Sequence, residues 1–459
     1  MQSVDMKRTM GVSGTVMTLV GLVIGVSIFI LPGQLAAIAG PAMLVSYLIA
    51  ASIALFSCVV AAQVGSVLPL SGASFVAISK LLSPFAGFVV IWMTFGGAAV
   101  AVALLASGFG DYATSLMPFL NADWLAFGLV ASLGLLNLLG LKDFIFGQTV
   151  MVLMFMIALL VFVVSGLFQL DISLLTPFAP NGSSAVLSAV IPAFFSYTGF
   201  MLIIEISGEI KRPARTIPIA LALSFIVVLI VYSLVSLVLV GLMSWQELGE
   251  TKTPIADVAG LILPGWAASA IAFTAIAAAA TSVNAILLAY SRDVLALARA
   301  HLLPVALARI SKKHGEPVYG VIFITILSLI AVLAQRSVTQ YASLIVMGVM
   351  TLHILVSIAV LRMPSQTPEL FGNSSFQLGP FARWFFCLGL MGSSAYFLGL
   401  GLVEDVATAR VVGIYVFMGA VYYVIRGLFK RDQTANARKY IDEEIDSVRM
   451  MNKVQTRKS

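Results

Sequence analysis

Long apolar runs alternate with short polar turns along almost the whole chain, at roughly 12–39, 42–68, 84–117, 122–141, 145–168, 185–208, 217–243, 264–298, 317–335, 338–361, 381–402 and 409–428. Each run is close to or above the ~20 residues with which a helix crosses a hydrocarbon core about 30 Å thick. The pattern therefore predicts an all-α polytopic membrane protein with twelve transmembrane helices. An even number of crossings places both termini on one side.

Two of the runs are not built to stay unbroken. The first contains Gly21-Leu-Val-Ile-Gly25-Val-Ser-Ile-Phe-Ile-Leu-Pro32-Gly33, where Gly25 stands beside three middling helix formers and Pro32 follows. A break is expected over Gly25, Val26, Ser27 and Ile28. Gly21 and Gly25 also read as a small-residue packing face, so the two readings compete. The sixth run contains Pro192-Ala-Phe-Phe195-Ser196-Tyr197-Thr198-Gly199-Phe200, whose succession of Ser, Tyr, Thr and Gly weakens a helix at its centre. Irregular backbone at membrane depth is tolerated only where protein buries it or a cavity is lined by it. Runs one and six occupy matching positions if the chain holds two five-helix repeats of inverted topology. Paired interruptions in matching helices point to the ligand site of a secondary transporter. Free N–H groups at one half-helix suit a carboxylate and free carbonyls at the other suit an ammonium or a cation, a combination that fits a zwitterion.

Composition narrows the class further. Of 459 residues, 60% are hydrophobic and only 10% charged, with mean hydropathy +1.06, which excludes a soluble globule. The first run is too long, and too poor in a small-residue cleavage site, for a removed signal peptide. With the N-terminus in the cytoplasm, every Lys and Arg except Lys252, Arg336 and Arg410 falls on the cytoplasmic side. The net charge of +6 thus orients the chain in a bilayer and forms no nucleic-acid face. Cys58 and Cys387 lie inside apolar runs and read as buried thiols, and no His or Cys spacing suits a metal. The outer stretch Ser244 to Leu263 is long enough for short helices over an entrance, whereas the tail 429–459 lacks a sustained apolar stripe and reads as solvated and partly helical.

The residues around the first break, Gly21-x-x-Ile24-Gly25-x-Ser27-Ile28-Phe29-x-Leu31-Pro32-Gly33, resemble the first-helix signature of the amino acid, polyamine and organocation transporter superfamily. Phe194 to Phe200 with Gly208-Glu209-Ile-Lys-Arg-Pro213, and Thr281-Ser282-Val-Asn284 with Ser291-Arg292-Asp293, are similar to its sixth and eighth helices. The resemblance runs in order through segments one to ten. It implies a five-plus-five inverted-repeat core with discontinuous helices 1 and 6, two extra helices, and an amino acid or related amine as substrate. On that reading a permease domain spans 1–428, with repeats at about 12–168 and 185–361, extra helices at about 381–428 and a cytoplasmic tail at 429–459.

Three departures from the family pattern matter. Ser27 stands where a second glycine is usual, so its hydroxyl is a candidate ligand. Met201 replaces an acid common in polyamine and basic amino acid exchangers, which argues against a di-cationic substrate. The fifth run, from Gln148 onward, lacks the lysine with which several proton-coupled relatives fill the cation position.

Candidate chemistry follows from these positions. Substrate is expected on Gly25, Val26, Ser27, Ile28, Phe195, Ser196, Tyr197, Thr198 and Gly199, in a largely apolar pocket. Thr281 and Ser282 offer adjacent hydroxyls for a sodium cage, against the alternative that both bond back to their own helix. Glu205 is the one carboxylate well inside a run; about eight helical residues, or ~12 Å, past Tyr197, it reads as an inner gate or proton site, with Lys7 or Arg8 as partner. Coupling to Na+ or H+ is open, and no cofactor is expected. His353 reads equally as a buried structural residue and a proton carrier, and His301 and His314 fall in a basic loop.

A membrane-embedded enzyme would need a carboxylate pair, a His/Cys cluster or a nucleophile with its base, and none stands at membrane depth in the sequence. A channel would need polar rings along a continuous pore. The expectation is accordingly a multi-pass plasma-membrane or bacterial inner-membrane permease for neutral or hydrophobic amino acids, with an amine or organic-cation carrier as the alternative. Substrate side chain, direction of transport and oligomeric state are not encoded legibly.

Overall fold

A computed structural model describes residues 8–139, 144–311, 317–429 and 432–456. Lys7, Lys142, Lys313 and His314 lie outside the described residues. The chain folds into helices α1 (Val12–Ile24), α2 (Ser27–Ala39), α3 (Met43–Val67), α4 (Ala73–Leu81), α5 (Pro84–Leu116), α6 (Ala122–Leu139), α7 (Phe144–Leu167), α8 (Gly182–Phe195), α9 (Pro213–Leu242), α10 (Trp245–Glu250), α11 (Pro254–Ile262), α12 (Gly265–Arg299), α13 (Val318–Leu333), α14 (Val338–Gln366), α15 (Pro368–Asn373), α16 (Pro380–Glu404), α17 (Val406–Phe429) and α18 (Gln433–Thr456). Among the described residues, ten helical stretches are long and apolar enough to cross a membrane. The first of them, Val12–Val67, takes in α1, α2 and α3, and α13 is a shorter apolar helix of 16 residues. The chain is an integral, multi-pass membrane protein.

The two longest helices, α5 and α12, are joined by α14 and the broken pair α1/α2 in the buried middle of the bundle. At the other extreme α17 buries only Thr408 and Gly419 among its residues. It is held to α5 by a reciprocal pair, Trp92 Nε1 to the Tyr415 carbonyl at 3.0 Å and Tyr415 hydroxyl to the Trp92 carbonyl at 2.9 Å. Gly419 lies under the Trp92 ring and Gly96 under the Tyr415 ring, close approaches that any side chain would block. Cys58 and Cys387 are buried free thiols.

Three parts of the chain differ from the sequence expectation. The linker between the second and third runs holds α4, every residue of which is buried except Lys80. The stretch Ser244 to Leu263 forms α10 and α11, as its length suggests, and they pack over α2: Gly33 stands against the Leu248 carbonyl and Gly249 against Ala37. The tail is the correction. It does carry an apolar stripe, Ala437, Ile441, Ile445 and Val448, at helical spacing and at most 2% exposed. Charged neighbours on the other faces of α18 hide that stripe in the sequence. The helix docks on α4, with Lys80 Nζ 2.6 Å from Asp442 and Arg449 Nε 3.3 Å from Glu369.

Candidate functional site

The first break is narrower than the four residues expected. Only Gly25 and Val26 leave the helix, and Ser27 and Ile28 already form the first turn of α2, because a single residue at positive φ suffices to redirect the chain. Gly25 has φ 40° and ψ −145°, a conformation that disfavours any side chain, and a Cβ there would collide with the Ser282 hydroxyl. Pro32 is accommodated within α2. Gly21 meanwhile packs against Val152 of α7, so the packing reading holds at Gly21 and the break reading at Gly25.

Hydroxyls close the carbonyl side of this break. Ser27 Oγ donates to the Ile24 carbonyl at 2.8 Å and lies 2.7 Å from the Tyr232 hydroxyl, which itself reaches the Val23 and Ile24 carbonyls at 3.3 Å. Ser282 Oγ donates to the Gly21 carbonyl at 3.3 Å. Of the acceptors that α1 leaves open at its end, those of Gly21, Val23 and Ile24 are therefore satisfied from within the protein. On the donor side, the Phe29 N–H bonds the Val26 carbonyl at 2.9 Å, while the N–H groups of Ser27 and Ile28 come too early in α2 to find a partner within it.

The second break is a longer departure. After α8 ends at Phe195, Ser196 and Tyr197 turn, and Thr198–Ile203 continue as a 3-10 segment rather than an α-helix. Gly199 is where the two breaks meet: a Cβ on it would lie 3.2 Å from Val23 Cα and 3.3 Å from the Leu22 carbonyl. Side chains two positions apart in a helical turn point about 200° apart. Phe195 thus faces the interior of the bundle, and Tyr197 turns toward α3 and α9, with ring centroids 5.4 Å from Tyr232 and 6.5 Å from Tyr47.

A cavity of about 60 Å³ opens between the breaks. Of the predicted site residues, Gly25, Ser27, Phe195, Thr198 and Gly199 line it; Val26, Ile28, Ser196 and Tyr197 do not. Val26 packs against Gly108 instead, and the Ser196 hydroxyl is buried beside Tyr47 and Tyr232. Thr281 and Ser282 are also outside the lining. Thr281 Oγ1 bonds back to the Ala278 carbonyl at 2.8 Å, the alternative weighed for it, whereas Ser282 reaches across to α1. Along α12, Ile286, Tyr290 and Asp293 present one helical face to the cavity and carry it toward the end of the bundle that bears Arg292 and Arg299.

Glu205 lies at that end, but not on a helix eight residues beyond the break. After the 3-10 segment the chain turns, and Glu205 is held against the start of α4, its carbonyl accepting from the Gly72 N–H at 3.1 Å and its side chain 4% exposed. Its Oε1 accepts a short hydrogen bond from the Ser74 hydroxyl of α4, and its carboxyl adjoins that of Asp293, which is 1% exposed. Two expectations are corrected. Glu205 is not the one buried carboxylate, and a carboxylate pair does stand inside the bundle. Arg8, named above as a partner for Glu205, places Nη2 3.4 Å from Met451 Sδ on the tail helix. Sequence reasoning also missed Tyr232, Ser74 and Tyr290. Asn284 accepts a 2.8 Å hydrogen bond from Asn137, and His353 is fully buried with Nδ1 3.2 Å from Ser394 Oγ. Among the described residues, no three His, Cys, Asp or Glu side chains are grouped so as to hold a metal ion.

Paired discontinuous helices around a central cavity are the architecture of secondary transporters. Residues 10–425 match the model of the family described as "Amino acid permease", and the chain belongs to that family, within the amino acid, polyamine and organocation superfamily. It is a family of transporters, not enzymes. The chain is 25% identical over 445 residues to a branched-chain amino acid permease of Bacillus subtilis (92% of this chain, 93% of that protein). It is 27% identical over 400 residues to a methylthioribose transporter of the same organism (82% and 85%), and 28% identical over 358 residues to the vacuolar cationic amino acid transporter 8 of Arabidopsis thaliana (74% and 60%).

Proposed function

We propose that this chain carries neutral or hydrophobic amino acids across a plasma or bacterial inner membrane by alternating access, driven by an ion gradient or by exchange. The observation that carries this reading is that Gly25 and Ser27 of the first break and Phe195, Thr198 and Gly199 of the second line one cavity, with Gly199 packed on Leu22 and Val23. There, the N–H groups at the start of α2 receive the substrate carboxylate. The substrate's side chain lies toward Phe195, Met93 and Ile286, an apolar wall that favours an aliphatic group. Twelve crossings in two inverted five-helix repeats plus α16 and α17, with both termini and α18 in the cytoplasm, is the topology that suits the basic excess at that end.

At about 60 Å³ the cavity is well below the ~300–1,000 Å³ of typical ligand sites, so in this account the walls part to admit substrate. The 3-10 segment, whose hydrogen-bond geometry is poorer than that of an α-helix, is the element best suited to yield. A second reading has one observation behind it. Two carboxyls at the basic end of the cavity suit an amine or a cationic amino acid.

Thermal stabilisation of the purified protein across the twenty amino acids and a set of amines separates the two. Saturating ligand at about a hundredfold its dissociation constant stabilises the folded state by about 2.7 kcal/mol. Stabilisation by leucine, isoleucine or valine supports the first reading; stabilisation confined to lysine, arginine or simple amines supports the second.

A further inference from the structure

We propose that Glu205 and Asp293 form a proton-binding pair at the basic end of the cavity, loaded and unloaded through cavity water as the carrier turns over. The turnover part rests on the transport reading above; the proton-binding part does not.

The pair is assembled from three elements. Glu205 comes from the turn after the 3-10 segment, Asp293 from α12, and Ser74 from α4 donates to Glu205 Oε1. Glu205 Oε2 and both Asp293 oxygens are buried, the two carboxyls stand within hydrogen-bonding reach of each other and Glu205 within reach of the Ser74 backbone N–H, and both side chains border the cavity. Gly72, which precedes α4, closes over Asp293: a Cβ built there lies 3.6 Å from Oδ1.

The cation nearest in sequence is already committed. Arg292 Nε stands 2.8 Å from Glu209 Oε1, and Arg292 Nη1 donates to the Leu288 carbonyl at 2.9 Å. Its charge acts on Asp293 as well, so one guanidinium is divided between Glu209 and the cavity pair and does not neutralise both cavity carboxyls. Tyr290 faces the pair from α12 as a further titratable group. From α1, α5 and α14 the cavity receives only uncharged residues, among them Val23, Thr94 and Leu352. Lys80, the cation on α4, is turned to Asp442.

Adjacent buried carboxyls cannot both carry a full charge, because each raises the cost of ionising the other. One proton between them removes the repulsion and gives an oxygen of one acid a donor. Loading transfers a proton from a hydronium ion in the cavity to a carboxylate oxygen, forming one O–H bond and leaving water; unloading reverses this. The geometry favours a proton over a resident metal or ammonium ion, since the carboxyls adjoin each other directly and a larger cation would have to stand between them.

Infrared spectra of the purified full-length chain near neutral pH test the pair. The wild type is expected to show a protonated carboxylic acid band that shifts in heavy water and is absent from Glu205→Gln/Asp293→Asn. An unchanged band in that double variant would overturn the proposal. Should the double variant not fold, Ser74→Ala keeps both acids and is expected to move the band, and a band unmoved there would count against the assignment equally. Coupling is read in liposomes holding a pH-sensitive dye. Added leucine is expected to change internal pH with the wild type and not with Asp293→Asn, while leucine-for-leucine exchange persists in the variant. Leucine uptake by the wild type without a pH change would overturn the coupling. If the wild type takes up no leucine at all, the substrate reading above fails, and the infrared band alone decides the pair.

Discussion

The two broken helices meet inside the bundle, yet they are built from different chemistry. The break between α1 and α2 is two residues long, and its carbonyl side is stitched by Ser27, Tyr232 and Ser282. The break after α8 is a 3-10 stretch, Thr198–Ile203, held by i→i+3 bonds and ending near two carboxyls. The first is a short kink closed by hydroxyls on its carbonyl side. The second is a weakly bonded segment able to change its path. A pair of interruptions need not divide the work evenly: on the reading proposed above, one positions the ligand and the other supplies movement and charge.

That asymmetry can be attacked where the breaks touch. Gly199→Val is expected to have the largest effect, because the added atoms meet Val23 Cα and the Leu22 carbonyl, which are backbone and cannot step aside. Overpacking of this kind costs about 1–3 kcal/mol, and a lower melting temperature with abolished uptake is the expected outcome. Tyr232→Phe should come next. It strips a hydroxyl from two buried carbonyls, for a loss of about 1–2 kcal/mol on denaturation, with Ser27 still holding Ile24. Ser282→Ala removes one cross-helix bond to Gly21 and should cost about 1 kcal/mol. Since Ser282 is turned to α1 and not to the cavity, exchanging sodium for choline should alter uptake equally in this variant and the wild type. The smallest effect belongs to the docked tail. Lys80→Ala breaks an exposed ion pair, and thermal unfolding should register ~0.5 kcal/mol or less.

The sequence made some of this legible and concealed the rest for physical reasons. Gly25 could be found because backbone conformation is written in residue type, and the apolar runs could be found because lipid demands them. Tyr232 could not, since a tyrosine in an apolar run gives no sign that its hydroxyl will cap a helix end 208 residues away. Asp293 stood in a recognisable motif but near the end of its run, where an acid ordinarily meets water. What buries it is α4, a helix folded into a stretch that the apolar pattern treats as a linker. The stripe on α18 was hidden for the opposite reason, four apolar residues diluted among charges. Contacts between distant segments decided each of these cases, and no local pattern carries them.

The most direct test of the account is competition for uptake of labelled leucine in liposomes by leucine itself and by isoamylamine, the same molecule without its carboxylate. If the start of α2 receives a carboxylate, leucine competes and isoamylamine fails at the same concentration. Equal competition by the two would show that the break at Gly25 does not bind the carboxylate, and would contradict the account at its centre.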